Sequence, residues 1–362
     1  MNKIIKIAII LSIIAAVGIG AYFAYQFFFN QAPQAPGSGN GIIDEIAVSR
    51  PTALTDDSVL DYWVNFKTNE IYYISENGQI HKVLSDRNKE TISSQLIGEL
   101  NYIKPSADGS LILASLGYPR SPTFAVYDIG SRAWQSLPAG ITAADWDPSS
   151  NNRLAYLINN GSVSRLLLLT LDNQRTSEVL RLAQQDLDLD WVSADIIYFK
   201  ERPSRFATGS LREFNLKTRI LKTLISDEPG LLIKWSTGRN MGIKWSNDLS
   251  IVDTNGRIIA STNLKTIPSK CVFFGPGIYC AASSDQSTVS SREFPDDYLK
   301  KGLVTRDDLY LLLIDDVSPL AAIKDITLSY GQNPIDADRL ELLGGQLLFI
   351  NRYDKNIYSL EL

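Results

Sequence analysis

The side chains able to do chemistry fall in three places. DLDLDW (Asp186–Trp191) alternates strictly. As a strand it puts Asp186, Asp188 and Asp190 on one face and Leu187, Leu189 and Trp191 on the other. Three neighbouring carboxylates suit Ca²⁺, a hard cation that takes oxygen ligands, although the glycine and distal glutamate of an EF-hand loop are missing. The plainer reading is a strand start facing water. Asp145 and Asp147 add two more carboxylates. With Asp188 and Asp190 they offer histidine-free acid–base chemistry, which needs two carboxyls about 5–9.5 Å apart in a deep pocket.

His81, in GQIHKVL (Gly78–Leu84), is the one histidine of the chain. A serine or cysteine hydrolase needs an imidazole base held by a carboxylate. No GxSxG elbow accompanies it. His81 therefore reads as a structural or surface residue. Cys271 and Cys280 flank VFFGPGIY. A turn at Phe274–Gly277 pairs Phe273 with Ile278 and sets the two cysteines opposite each other. Opposed residues lie about 4.5–5.5 Å apart at Cα, which a disulfide can bridge. A structural disulfide and two buried thiols both fit, while a catalytic thiol lacks a nearby histidine. No cofactor is expected.

Composition narrows the partners. The 362 residues carry 40 acidic and 35 basic side chains, a net charge of −5. That balance argues against general nucleic-acid binding. Two cysteines exclude a disulfide scaffold or an iron–sulfur protein.

Ile4 to Phe29 is one apolar run, broken only by Lys6, Ser12 and Gln26. A bilayer-spanning helix needs about 20 such residues. Aromatics (Tyr22, Phe23, Tyr25, Phe27, Phe28, Phe29) fill the end where a cleavable signal would carry small residues. Residues 1–29 are therefore expected to be a cytoplasmic stub and an uncleaved transmembrane anchor. Lys3 and Lys6 stand before or at its start, and the next basic residue is Arg50, so the remainder is expected outside the plasma membrane. Residues 30–41, NQAPQAPGSGNG, read as a Pro/Gly linker.

From residue 42 the pattern is all-β. Short β-branched and aromatic runs, such as EIYYIS (Glu70–Ser75) and RLAYLI (Arg153–Ile158), alternate with Gly, Asn, Asp, Ser and Pro. The runs recur in groups of four. First strands fall near Tyr62, Tyr102, Ala144, Leu189, Leu232, Cys271 and Arg339. A period of roughly 40–50 residues with four strands is a propeller signature. The one long interval holds an insertion, Ser283–Asp307. Seven blades are expected, with six or eight as alternatives. The last group supplies three strands, so the strand at 42–49 is expected to complete it and close the ring.

The residues also carry a resemblance. YIKPSADGSLILAS (Tyr102–Ser115) resembles the blade motif of TolB-like propellers: an aromatic, Pro-Ser, Asp-Gly, then an apolar strand. DWDPSSNNRLAYLI (Asp145–Ile158) is a looser copy, and IKWSTGRNMGIKWS (Ile233–Ser246) keeps only the Trp-Ser. The repeat is similar to that of Trp-Asp-repeat propellers, without their Gly-His and Trp-Asp pairs. The apolar run, the linker and the segment from Tyr279 to Asp315 resemble single-span propeller proteins of small-genome bacteria. The resemblance implies an extracytoplasmic surface protein that binds protein; it implies no activity.

Connections between second and third strands of a blade share one face. Three are long here: LGYPRSP (Leu116–Pro122), ERPSRFATG (Glu201–Gly209) and the insertion. They carry Tyr118, Arg120, Arg202, Arg205, Phe206, Phe294 and Tyr298. Aromatic and arginine side chains are the commonest interface hot spots, and loops on a rigid scaffold often hold function. The chain is thus expected to be a non-enzymatic, membrane-anchored binding module for a protein, peptide or envelope ligand. The alternatives are a carboxylate lyase or glycosidase in the funnel and a structural subunit of an envelope complex.

Overall fold

The computed structural model describes residues 50–95, 98–117, 122–236, 241–275, 277–285, 287, 295–313, 321–329 and 333–362. The expected anchor, linker and strand at 42–49 lie outside them. No helix among the described residues is long and apolar enough to cross a membrane.

Seven four-stranded antiparallel sheets form the blades of a β-propeller. Counted from Val59, their inner strands are Val59–Asn65, Leu100–Pro105, Ile141–Trp146, Leu187–Ser193, Leu232–Trp235, Cys271–Phe274 and Ala337–Leu343. Each contains one of the first strands expected from the repeat. Blade five is tightly wound but complete, with strands Leu232–Trp235, Gly242–Ser246, Asp248–Val252 and Ile258–Thr262. A single residue, Asn247, separates its second and third strands.

The core lies between blades, which explains the near-continuous apolar runs. In blade three, Leu154 and Tyr156 pack with Leu113 and Val126 of blade two. The alternate residues Ala155 and Leu157 pack with Leu189, Trp191 and Phe199 of blade four. Successive side chains of a strand point to opposite faces, and in a ring of blades both faces are buried.

The Asp-Gly of the second blade is a turn device. Asp108 Oδ1 accepts the Ser110 N–H at 2.9 Å. Gly109 adopts φ +75°, and a Cβ there would lie 2.1 Å from the Val64 carbonyl oxygen of blade one. Only glycine tolerates both the left-handed conformation and that approach. In blade three, Asp147 accepts the Ser149 N–H at 2.9 Å in the same way.

Closure differs in position from the expectation. The outer place of blade seven is taken by Thr52–Ala53, paired antiparallel with Ile357–Glu361 (Thr52 opposite Ser359, Ala53 opposite Tyr358). Leu54 N–H continues the pairing to the Ile357 carbonyl at 2.7 Å, and Thr55 Oγ1 accepts the Ile357 N–H at 3.0 Å. The pairing direction brings the chain in on the face opposite the long loops. An α-helical turn, Asp296–Leu299, lies in the insertion.

Candidate functional site: the loop face and the charged channel

The insertion of blade six is fastened at both ends of its helical turn. Asp296 Oδ2 accepts the Arg205 backbone N–H at 2.7 Å, tying it to the long loop of blade four. Tyr298 lies under the Arg352 guanidinium, 3.8 Å from the ring centroid, and its hydroxyl donates to Asp336 Oδ1 at 3.3 Å. Arg352 also donates to the Tyr298 carbonyl at 3.3 Å. Between these fastenings, Gly230 (φ +64°) lets the loop pass; a Cβ there would come within 2.8 Å of Trp245 and 3.2 Å of Pro295. The short turn of blade five leaves the room this crossing occupies.

Beneath Tyr298 is a buried ionic knot. Lys270 Nζ meets Asp307 Oδ2 at 2.6 Å, Asp336 Oδ1 at 2.8 Å and Thr305 Oγ1 at 2.7 Å. Burial pushes the Asp307 carboxyl up to about 6, against the pull of Lys270 and with the push of the neighbouring Asp336. Burial acts on Asp336 too, but Lys270 and Arg352 together hold it below the ordinary carboxylate range. Splitting a buried pair of this kind leaves an uncompensated charge and costs about 3–5 kcal/mol. The knot therefore makes the insertion part of the scaffold.

The platform so formed presents Phe206, 70% exposed, with Leu299 and Val304. The Arg205 guanidinium stands 5.6 Å from the Phe206 ring centroid. Arg202, Arg205, Lys300 and Lys301 are exposed around it. This platform is apolar and cationic, while carboxylates such as Glu76, Asp186 and Asp354 are exposed elsewhere on the same side.

The channel is crossed by lysines. Lys104 of blade two passes its ammonium to blade four, donating to the Leu189 carbonyl at 2.9 Å. On the way it lies 3.6 Å from Asp145 Oδ1 and 3.5 Å from Asp190 Oδ1. Lys200 pairs with Asp190 at 2.6 Å and reaches Asp188 at 3.6 Å. Lys234 of blade five does the same for the other half, donating to the Cys271 carbonyl of blade six at 3.0 Å and the Leu340 carbonyl of blade seven at 3.4 Å. Arg339 and Asp61, 2.9 Å apart, join blade seven to blade one. Burial raises the Asp145 carboxyl to about 6, with Lys104 pulling down and Asp190 pushing up. Asp190 is held low by Lys200 and Lys104 despite its burial.

The sites read from sequence are thus partly reunited. Arg202, Arg205 and Phe206 share one loop of the expected face. Tyr298 is buried, 3% exposed, and serves as the insertion's fastening and not as part of the outer surface. Tyr118, Arg120 and Phe294 lie outside the described residues. Leu187, Leu189 and Trp191 are buried as the alternation implies, while Asp188 and Asp190 are answered by lysine ammonium groups. Asp186 sits just before the strand with φ 55°. Among the described residues, no set of three or more His, Cys, Asp or Glu is arranged to hold a metal ion. Asp147 is spent in its turn and pairs with Arg153 at 3.0 Å, so it is not a channel residue. His81 is 1% exposed, with Ser75 Oγ and Thr91 Oγ1 each 3.2 Å from a ring nitrogen. Cys271 and Cys280 are opposite in register and disulfide-bonded, 4.1 Å apart at Cα. Sequence reasoning missed Lys104 and Lys234. Both lie in an Ile-Lys-x-Ser, at Ile103–Ser106 and Ile233–Ser236, but Ile243–Ser246 repeats it with Lys244 paired to Glu228, so position on an inner strand is what distinguishes them.

No protein-family model matches this chain, and no curated protein matches it in sequence. Solved structures do match. U3-55K aligns over 86% of this chain and 98% of its own, at 11% identity and a TM-score of 0.56. The RRP9 WD40 repeats align over 87% and 99%, also at 11% and 0.56. TolB from Acinetobacter baumannii aligns over 56% and 53%, at 19% identity and 0.42. What U3-55K and the RRP9 repeats share with this chain is the propeller fold. At such identities the likeness carries nothing about the ligand.

Proposed function

We propose that the chain is a non-enzymatic binding propeller, held at the outer side of the plasma membrane by the Ile4–Phe29 run, whose loop face takes an acidic protein or peptide with apolar side chains. The observation that carries this reading is the double fastening of the insertion, Asp296 to Arg205 and Tyr298 to Arg352. It holds Phe206, Leu299 and the surrounding cations on a preformed base, and preorganised surfaces lose less entropy on binding. The channel favours the same reading. Its carboxylates are neutralised by Lys104, which crosses from blade two to blade four, and by Lys200 within blade four. An enzyme reading rests on Asp145, whose pKa of about 6 suits a general acid. Against it, Asp145 Oδ2 already accepts the Trp191 N–H at 2.8 Å.

The test is a pull-down with the detergent-solubilised full chain. Shortening the insertion would break the Lys270 knot, so the comparison is with Phe206→Ala/Leu299→Ala, which alters only exposed side chains. Loss of a partner that wild type retains supports the loop face, and binding that weakens with added salt supports an acidic ligand. An unchanged set of partners discards the proposal.

A further inference from the structure

The large apolar side chains left exposed are not evenly spread. Phe206, Leu299, Val304 and Tyr353 lie on the loop face. Most of the others lie on the opposite side, at turns between first and second or third and fourth strands. Phe66 (51% exposed) follows the inner strand of blade one, and Phe274 ends that of blade six. Ile220 (60%) and Ile258 (56%) stand at the starts of the outer strands of blades four and five. Leu313 and the terminal Leu362 end third strands on the same side. Turn tips are where polar residues ordinarily sit; Phe274 also touches Tyr279 of its own blade, ring centroids 5.3 Å apart. Single exposed apolar side chains are ordinary; their recurrence on one side of the ring is what points to an interaction surface.

The turn carboxylates of this face are largely spent locally: Asp108 on the Ser110 N–H, Asp128 on the Gly130 N–H and Asp253 on the Asn255 and Arg257 N–H groups. Lys217 and Arg153 pair with Asp195 and Asp147. The exposed apolar side chains share these turns with exposed cations, among them Lys67, Arg175 and Arg257.

The chain also enters on this side. Thr52–Ala53 runs antiparallel to Ile357–Glu361, so Arg50 and all that precedes it are joined to the propeller at the face bearing Phe66 and Phe274. Between Phe29 and Arg50 the covalent chain can span at most about 70 Å. With Ile4–Phe29 in a bilayer, that tether keeps the propeller within reach of lipid. A tether of this length raises local concentration towards the mM range, where weak apolar contacts suffice.

We infer that the face opposite the long loops rests on the lipid surface, with Phe66, Phe274 and the neighbouring Ile and Leu side chains entering the headgroup boundary. The inference rests on the anchored reading. It turns the loop platform outward, away from the membrane. Aromatic side chains are well suited to that boundary.

The experiment uses the full chain in phosphatidylcholine vesicles, with a photo-crosslinking benzoylphenylalanine placed in turn at Phe66, Phe274, Phe206 and Leu299. Wild-type melting behaviour checks that each variant folds. Lipid adducts several-fold more abundant at positions 66 and 274 than at 206 and 299 are expected. Equal labelling, or protein–protein adducts at 66 and 274 from a second copy, overturns the inference and leaves the anchor standing. A chain that does not float with the vesicles overturns the anchored reading and this inference together.

Discussion

The Lys104 ammonium lies 2.9 Å from the carbonyl oxygen of Leu189, two blades away around the ring. Lys234 stands in the same relation to Leu340, at 3.4 Å. Each lysine starts from the inner strand of one blade, passes a polar group of the next and ends on the backbone of the one after. Between them they brace six of the seven blades, and the Arg339–Asp61 pair joins blade seven to blade one.

Removing either brace should loosen the ring. Lys104→Met leaves Asp145 without its ammonium and loses a charge-assisted bond to Leu189, an expected destabilisation of about 1.5–3 kcal/mol. Lys234→Met should cost a similar amount. Lys217→Ala, which removes an ion pair with Asp195 from a side chain that is 75% exposed, should change nothing measurable. Urea unfolding midpoints separate the three, and equal effects would contradict the bracing role.

Lys270→Met should be more severe, about 3–5 kcal/mol at neutral pH, because Asp307 and Asp336 lose the cation between them. The deficit should depend on pH. A carboxyl whose folded pKa is raised, as that of Asp307 is to about 6, contributes stability that is present at low pH and lost as pH rises through that value. Without Lys270 its pKa rises further, so the gap to wild type should be widest above pH 6 and narrowest near pH 4. A gap that does not vary with pH contradicts the ionic account.

His81 offers a clean readout because it is the one histidine. Burial, aided by the Lys89 ammonium and opposed by Asp57, lowers its pKa below 6.5. The unfolded chain then takes up a proton first as the solution is acidified, so this group subtracts stability as pH falls below 6.5. The histidine NMR signal should titrate with a midpoint under 6.5, and one at or above 6.5 would contradict the burial of the ring.

The Cys271–Cys280 bridge closes a short loop. Chain-entropy arithmetic for a loop of this size gives roughly 2–3 kcal/mol. Cys271→Ala/Cys280→Ala should therefore remain folded with a lowered unfolding midpoint. A thiol titration of the denatured, unreduced wild type should find no free thiol, and two titratable thiols would exclude the bridge.

Much of this architecture is written in residues close to one another along the chain. Alternating apolar residues and Asp/Gly turns act over a few positions, so the seven inner strands and the Cys271–Cys280 register were readable directly. The closing strand was not. Thr52–Ala53 pairs with residues some 300 positions away through backbone groups, which every residue carries. No side-chain pattern distinguishes it from the run at 42–49. Nor could the fates of individual polar residues be read locally. Tyr298 appears as an aromatic in a long loop until Arg352 and Asp336 arrive from blade seven to bury it. Asp190 appears as a metal ligand until Lys104 and Lys200 reach it from blade two and its own second strand. The residues of a blade determine that blade. What crosses between blades depends on the curvature of the closed ring, which exists only once all seven have packed.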